Sequence, residues 1–298
     1  MSHKSPLIRL NNDIEMPALG LGVFQSRPAE TTDAVLEALA TGYRLVDTAA
    51  VYRNEAQVGE AIARSGLDRK DIFVTTKAWI SDYGYDQTLH AFDRSMRKLG
   101  LEQLDLYLLH WPVPKDFERT IESWKALERL LEEGRTRAIG VSNFSPDHLD
   151  RLLAHAKVVP AVNQVELHPF FAQAALVEAH RRLGIVTQAW SPIGGVKRYR
   201  AREGETPDDP LQHPAVTALA RKYGKTPAQV VLRWHIERGY SAIPKSVRAE
   251  RIRENFDIFD FSLADDEVAA IDRLDTGMRG GSDPEKVDTE FYKTRIED

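Results

Sequence analysis

The 298-residue sequence contains no cysteine. Disulfides, thiol nucleophiles and zinc–thiolate sites are therefore excluded. It also lacks an excess of either charge: 40 Lys and Arg stand against 45 Asp and Glu, a formal net charge of -5. That balance argues against a nucleic acid or a membrane surface as partner, since both favour a basic face. No run approaches the ~18 consecutive apolar residues of a membrane-spanning helix. The first residues, Met1-Ser2-His3-Lys4-Ser5-Pro6, lead into no apolar stretch of the kind a secretory signal carries. A soluble cytoplasmic protein is the expectation. No linker rich in Pro, Gly or Ser divides the chain, so one domain is expected over residues 1–298. A Rossmann fingerprint is missing too. Gly20 and Gly22 in "LGLGVF" have no third glycine at the required spacing.

What is present is an alternation. With 42% hydrophobic residues the chain can bury a large core. Short apolar runs read as strands at Ala18–Val23, Tyr43–Val46, Ile72–Thr76, Leu104–Leu109, Arg137–Val141, Ala161–Val165, Ile185–Ala189 and Ser241–Ile243. Segments with apolar spacing of three and four lie between them. They are Thr32–Ala40, Glu55–Ala63, Thr88–Leu99, Thr120–Leu131, His148–Leu153, Ala174–Leu183, Ala215–Tyr223 and Ala228–Glu237. Gly42, Gly100, Gly134 and Gly184 follow helical runs, where a left-handed residue closes a helix. Ser145-Pro146 reads as an N-cap with proline at the first helical position. Eight β–α units favour a closed (β/α)8 barrel over an open sheet. Leu7–Leu10 and Ile14–Met16 read as an N-terminal β-hairpin capping the barrel bottom. Extra helical segments, Arg251–Phe256 and Asp265–Leu274, follow the last strand. Long loops are expected at the barrel mouth, chiefly Ile193–Pro214.

In such a barrel, chemistry sits at the C-terminal strand ends. Asp47 ends the second run. Lys77 ends the third in "FVTTKAW" and His110 the fourth in "DLYLLHWP". Ser142-Asn143, Gln164, Trp190-Ser191 and Lys245-Ser246 stand at the ends of the remaining four. Asp47 and Lys77 are 30 residues apart, and Lys77 and His110 are 33, each about one β–α repeat. Tyr52 joins them from the loop after the second strand. Singly, each has an ordinary explanation: a helix cap, a packing tyrosine, a snorkelling lysine, a loop histidine. Four titratable side chains on neighbouring units require a joint one. Lys245, Ser246 and Arg251 open a helix-like segment, and a helix start flanked by cations suits an anion. Phe24, Trp79 and Trp111 lie just beyond strand ends and should line an apolar pocket, with Tyr83 a further candidate. The loop Ile193–Pro214 and the tail Gly277–Asp298 should form its outer walls. The basic cluster Lys197–Arg202 reads as a solvated loop. No metal site is expected.

"GYRLVDTAAVYRNEAQVG", "KLGLEQLDLYLLHWP" and "IPKSVRAERIRENF" resemble, in order, three signatures of the aldo-keto reductases. The resemblance covers nearly the whole chain, and points to a bacterial branch similar to the 2,5-diketo-gluconate reductases. It implies an α/β (β/α)8 TIM barrel, NADPH/NADP as cofactor, and reduction of aldehydes and ketones by a monomer. It also implies a catalytic tetrad of Asp47, Tyr52, Lys77 and His110. Ser142, Asn143 and Gln164 would hold the nicotinamide carboxamide. Trp190 would stack on the ring, where many members carry tyrosine. Lys245 and Arg251 would meet the 2′-phosphate, and Glu254 and Asn255 the adenine. Gly22, Val23, Asp47, Ser191, Ser246 and Val247 complete the implied cofactor contacts. His110, Phe24, Trp79 and Trp111 would meet the substrate.

The chemistry explains why these residue types belong together. Carbonyl reduction requires a proton for the oxygen as hydride reaches the carbon. A tyrosine of ordinary pKa ~10 is too weak an acid near neutrality, and an adjacent ammonium favours its phenolate. Asp47 would keep Lys77 charged and oriented, and His110 could donate a hydrogen bond to the carbonyl oxygen. Two rivals remain: an NADPH-binding regulatory or redox-sensing barrel, and a sugar-phosphate isomerase without nicotinamide. The intact tetrad argues against the first.

Overall fold

The computed structural model describes residues 4–195 and 208–296. Strands β1 (Leu7–Arg9) and β2 (Glu15–Pro17) form an antiparallel hairpin. Eight parallel strands follow. They are β3 (Leu21–Gly22), β4 (Leu45–Asp47), β5 (Phe73–Ala78), β6 (Leu104–Leu109), β7 (Thr136–Ser142), β8 (Val162–Glu166), β9 (Val186–Trp190) and β10 (Ser241–Ala242). Each pairs with its sequence neighbour. Helices α1 (Pro28–Thr41), α2 (Glu55–Arg64), α3 (Tyr85–Leu99), α4 (Phe117–Glu132), α5 (Pro146–Leu153) and α6 (Ala174–Leu183) make the crossovers. Helices Pro214–Tyr223 and Pro227–Glu237 precede β10, and Ala249–Phe256 and Asp265–Asp272 follow it. None of the described helices is long and apolar enough to cross a membrane.

The sheet closes between its first and last strands. Leu19 bridges Ala242 and Gly22 bridges Lys245, both parallel. The Gly20 amide donates to the Ala242 carbonyl at 2.9 Å, and the Gly22 amide to the Pro244 carbonyl at 3.1 Å. A Cβ on Gly22 would lie 2.9 Å from the Ile243 carbonyl oxygen, and one on Gly20 only 2.5 Å from the Leu45 side chain. Gly22 is thus required by close backbone approach at this junction, and Gly20 by the Leu45 side chain of the neighbouring strand β4. The junction strands are shorter than their apolar runs suggest. Of Ala18–Val23 only Leu21–Gly22 forms strand, and Ile243 lies beyond β10. The flanking residues pair as isolated bridges instead of continuous ladder.

Side-chain alternation divides the core in two. Leu45, Phe73, Leu106 and Leu108 point into the barrel and pack with Leu10 and Met16 of the hairpin. Val46, Val74, Ala78, Tyr107 and Leu109 face the helices. The hairpin therefore plugs the barrel bottom. Its turn is tied down by Asn12 Nδ2, which donates to the Arg137 carbonyl at 2.9 Å. The alternation that buries Leu45 and Phe73 carries Asp47 and Lys77 inward at the opposite end.

Several helices begin earlier than apolar spacing indicates, α1 at Pro28 and α5 at Pro146, because a first turn of Pro, Asp or Glu gives no periodic signal. The Ser145 cap forms as a capping box. Ser145 Oγ accepts from the His148 amide at 3.3 Å, and His148 Nδ1 accepts from the Ser145 amide at 3.1 Å.

Candidate active site

Asp47, Tyr52, Lys77 and His110 converge at the C-terminal rim. Lys77 Nζ donates to Asp47 Oδ1 at 2.6 Å and to the Thr48 carbonyl at 2.8 Å. The other carboxylate oxygen, Asp47 Oδ2, accepts from Gln164 Nε2 at 2.7 Å. Gln164 Nε2 in turn donates to Gln188 Oε1 at 2.7 Å. Asp47 and Lys77 are both buried. Burial pushes the Asp47 carboxyl up and the Lys77 ammonium down, and the attraction between them opposes both shifts. Lys77 Nζ lies 5.1 Å from the centre of the Tyr52 ring.

Tyr52 closes a short helical turn, Ala50–Tyr52, which ends at Arg53 with a left-handed φ of 57°. The turn is anchored by Asn54, a fully buried side chain. Asn54 Nδ2 donates to the carbonyls of Val23 (2.9 Å) and Ser26 (3.2 Å), while Oδ1 accepts from Thr48 Oγ1 at 2.8 Å. Behind it Glu55 is buried, with Oε1 accepting from Thr76 Oγ1 at 2.6 Å. Burial raises the Glu55 carboxyl, and the Thr76 and Ser95 hydroxyls oppose this. Asn54 and Glu55 read from sequence only as a helix start. Their polarity beside a strand end was the available signal.

The His110 ring meets Tyr52 edge-on at 5.8 Å and Trp79 edge-on at 5.1 Å, and lies parallel to Trp111 at 6.4 Å. Burial, aided by the Lys77 charge, holds its pKa well below 6.5, so the imidazole is neutral. Its Nδ1 is buried without a hydrogen-bond partner. A stranded lone pair costs less than a stranded N–H, which favours the tautomer with the proton on Nε2.

Aromatic rings surround this group. Phe24 is 43% exposed and meets Tyr52 edge-on at 5.1 Å. Trp79 and Trp111 are buried, and Tyr292 of the C-terminal segment packs on both, at 5.5 and 6.1 Å. Trp79 Nε1 donates to the Thr294 carbonyl at 2.8 Å. Tyr83 does not join the wall. It is buried, and its hydroxyl donates to the Trp111 carbonyl at 2.7 Å, fixing that residue from behind. The basic cluster Lys197–Arg202 lies outside the described residues.

The residues expected at a cofactor surround the same rim. Ser142 Oγ donates to the Gln164 carbonyl at 2.7 Å. Asn143 adopts a left-handed φ of 66° and donates through Nδ2 to the His110 carbonyl at 3.0 Å. Its Oδ1 accepts from Trp190 Nε1 at 2.8 Å. Ser191 also has positive φ, at 50°. Such conformations in non-glycine residues persist where surroundings enforce them, commonly at functional rims. The Val23 side chain is buried, its amide donates to the Asp47 carbonyl at 3.1 Å, and its carbonyl is taken by Asn54. Beyond β10, Ser246 Oγ accepts from the Arg248 amide at 3.1 Å in the turn before helix Ala249–Phe256, with Val247 half-buried between them. Lys245 and Arg251 are exposed, and among the described residues neither lies within ion-pair distance of a carboxylate. Burial lowers the Lys245 ammonium, against the attraction of Glu30. Glu254 Oε1 accepts from Thr226 Oγ1 at 2.9 Å, and Asn255 is buried.

This donor set fits NADP(H). Two exposed cations without an ion-pair partner among the described residues suit a phosphate, and an indole rimmed by amide and hydroxyl groups suits a flat carboxamide-bearing ring. Among the described residues no cluster of His, Asp or Glu could hold a metal ion.

Comparison with known proteins agrees. The sequence pattern described as "Aldo/keto reductase family" matches residues 18–276. Morphine 6-dehydrogenase of Pseudomonas putida is 55% identical over 295 residues, 98% of this chain and 99% of its own. The crystal structure of an aldo/keto reductase from Brucella melitensis is 47% identical, with a TM-score of 0.84 over 91% of this chain and 100% of that one. A Bombyx mori aldo-keto reductase in complex with NADP is 38% identical, with a TM-score of 0.86 over 94% of this chain and 95% of its own. None of these three is named as a 2,5-diketo-gluconate reductase, and they do not specify that branch. On sequence, fold and rim geometry together, the chain belongs to the aldo/keto reductase family.

Proposed function

We propose that the protein reduces aldehydes and ketones with Tyr52 as proton donor, Lys77 and Asp47 as the pair that tunes it, and neutral His110 as donor to the carbonyl oxygen. The observation that carries these roles is the buried Lys77–Asp47 pair, with Lys77 Nζ 5.1 Å from the centre of the Tyr52 ring and the His110 imidazole edge-on to that ring at 5.8 Å. Reduced nicotinamide, when bound, supplies the hydride. Trp190, Asn143, Ser142 and Gln164 would hold its ring, and Lys245 and Arg251 the 2′-phosphate. Glu254 and Asn255 would face the adenine.

The chain's own residues do the rest. Lys77, kept charged by Asp47, stabilises negative charge on the Tyr52 oxygen as its proton leaves. His110 stays neutral and offers one N–H to the oxygen on which charge develops. In the reverse direction Tyr52 takes the proton back. The aromatic wall excludes water and favours carbonyls with apolar bodies. The relative named for 6-dehydrogenation of morphine supports placing polycyclic ketones in the substrate panel. The same reading has the protein work as a cytoplasmic monomer on small molecules.

The test mixes the protein with NADPH and aromatic aldehydes, keto acids, sugars and polycyclic ketones, and follows absorbance of the reduced nicotinamide. Oxidation of NADPH with apolar carbonyls is expected. Tight NADPH binding with no turnover on any of them would favour the sensing barrel instead.

A further inference from the structure

Glu166 ends β8, and its side chain is fully buried although it faces the rim. Both oxygens are engaged by a segment more than a hundred residues away. Oε1 accepts from the Gly280 amide at 2.8 Å and from His168 Nε2 at 3.1 Å, and Oε2 accepts from the Gly281 amide at 2.7 Å. Burial pushes the carboxyl up, but His168 and the two glycine amides overcome this and hold it below its usual range. The carboxylate therefore stays ionised in the folded protein.

Gly281 is wedged between two side chains. A Cβ there would lie 2.5 Å from Trp190 Cη2 and 2.8 Å from Glu166 Oε2. The Trp190 indole is thus fixed by Asn143 at its nitrogen and by the Gly281 backbone at its far edge. Past Gly281 the segment runs on to Tyr292 and Thr294, which meet Trp79 and Trp111. Two of its other fastenings, both charged, are more exposed. Lys115 in the pair with Asp288 is 67% exposed, and Glu285 in the contact with His148 is 58% exposed. Exposed pairs hold weakly, whereas a buried carboxylate accepting several N–H groups holds strongly.

We propose that Glu166 is a positioning residue. Its carboxylate clamps Gly280–Gly281 against the Trp190 indole, and so sets both the platform for the nicotinamide ring and the course of the segment that brings Tyr292 to the substrate wall. This rests on the carbonyl-reductase reading above. A glutamine at 166 would keep the shape but set an amide NH2 against a backbone N–H, so one of the three bonds must break.

Glu166→Gln and Gly281→Ala test the clamp from its two sides. In both, KM for the carbonyl should rise about tenfold and the NADPH Kd, read by tryptophan quenching, about threefold or more, while kcat at saturation changes less. In the cofactor-free proteins, tryptic cleavage after Arg279 and Lys286 should quicken about tenfold. A KM and a Kd both within twofold of wild type overturn the proposal, even if the melting temperature falls, because the contact is then merely structural. If Glu166→Gln does not fold, Gly281→Ala decides alone. If wild type binds NADPH yet reduces no carbonyl, the functional reading fails while quenching and proteolysis still judge the clamp.

Discussion

Lys77 Nζ sits 2.6 Å from Asp47 Oδ1, with the two side chains 0% and 3% exposed. Such a pair stabilises a fold weakly as a whole but is costly to break, since removing one partner strands the other charge in a dry site. Its presence at the end of two barrel strands is therefore better explained by chemistry than by stability.

Lys77→Met separates the two roles. The single variant should lose activity by at least about a hundredfold and lose about 3–5 kcal/mol of stability. Asp47→Asn combined with Lys77→Met should recover most of the stability and none of the turnover. Denaturant unfolding and NADPH oxidation measure the two. Recovered activity in the double variant would remove the pair from the mechanism.

Tyr52→Phe should abolish reduction, a loss of about a hundredfold or more, with NADPH affinity nearly unchanged. Substantial residual turnover would assign the proton to another group.

Arg251→Ala should weaken NADPH by about tenfold or more and NADH hardly at all, because a charged hydrogen bond to the 2′-phosphate is lost only with the first. Equal losses for both cofactors would withdraw the phosphate assignment.

His110 is held neutral, its pKa well below 6.5 through burial and the Lys77 charge. kcat/KM should therefore show no inflection near 6.5 assignable to it. A decline as pH falls through 6 to 7 that vanishes in His110→Gln would contradict this.

Stability should fall in mild acid. His180 and His235 are buried, and burial brings each to about 4. His180 lies 2.8 Å from both Asn163 Nδ2 and Thr187 Oγ1, and His235 Nε2 lies 3.0 Å from the Pro192 carbonyl. Between the folded value and an unfolded value near ~6.5, the unfolded chain binds more protons, so stability rises with pH across that window and falls as pH drops through it. Each histidine accounts for roughly 3 kcal/mol by pH 4. Melting temperatures between pH 7 and 5 should decline less steeply in His180→Gln than in wild type; equal slopes would exclude His180 as a source.

The barrel and its rim could be read from the sequence because β–α repeats of about 30 residues leave a regular trace, and polar residues closing apolar runs stand out. Asp47, Lys77 and His110 are such residues. Glu166 closes a run too, yet its partners Gly280 and Gly281 come from a segment without periodicity. Tyr292 and Thr294 are hidden for the same reason: their contacts with Trp79 and Trp111 are set by the path of the chain. Tyr83 shows the converse. An aromatic residue after a strand end was legible as near the pocket, but its hydroxyl contact with Trp111 directs it behind the wall. Strand lengths at the junction of β3 and β10 were overestimated because apolar runs record burial, which continues past the ladder.

That junction has a physical consequence. The cylinder is sealed by its two shortest strands, and Lys245 stands where the seal ends, bridged to Gly22. An anion gripped by Lys245 would stitch the seam from outside. Amide protons of Gly20, Gly22 and Ala242 should exchange with deuterium sooner than those of β5 to β7 in the empty protein, and gain the most shielding once NADPH is added.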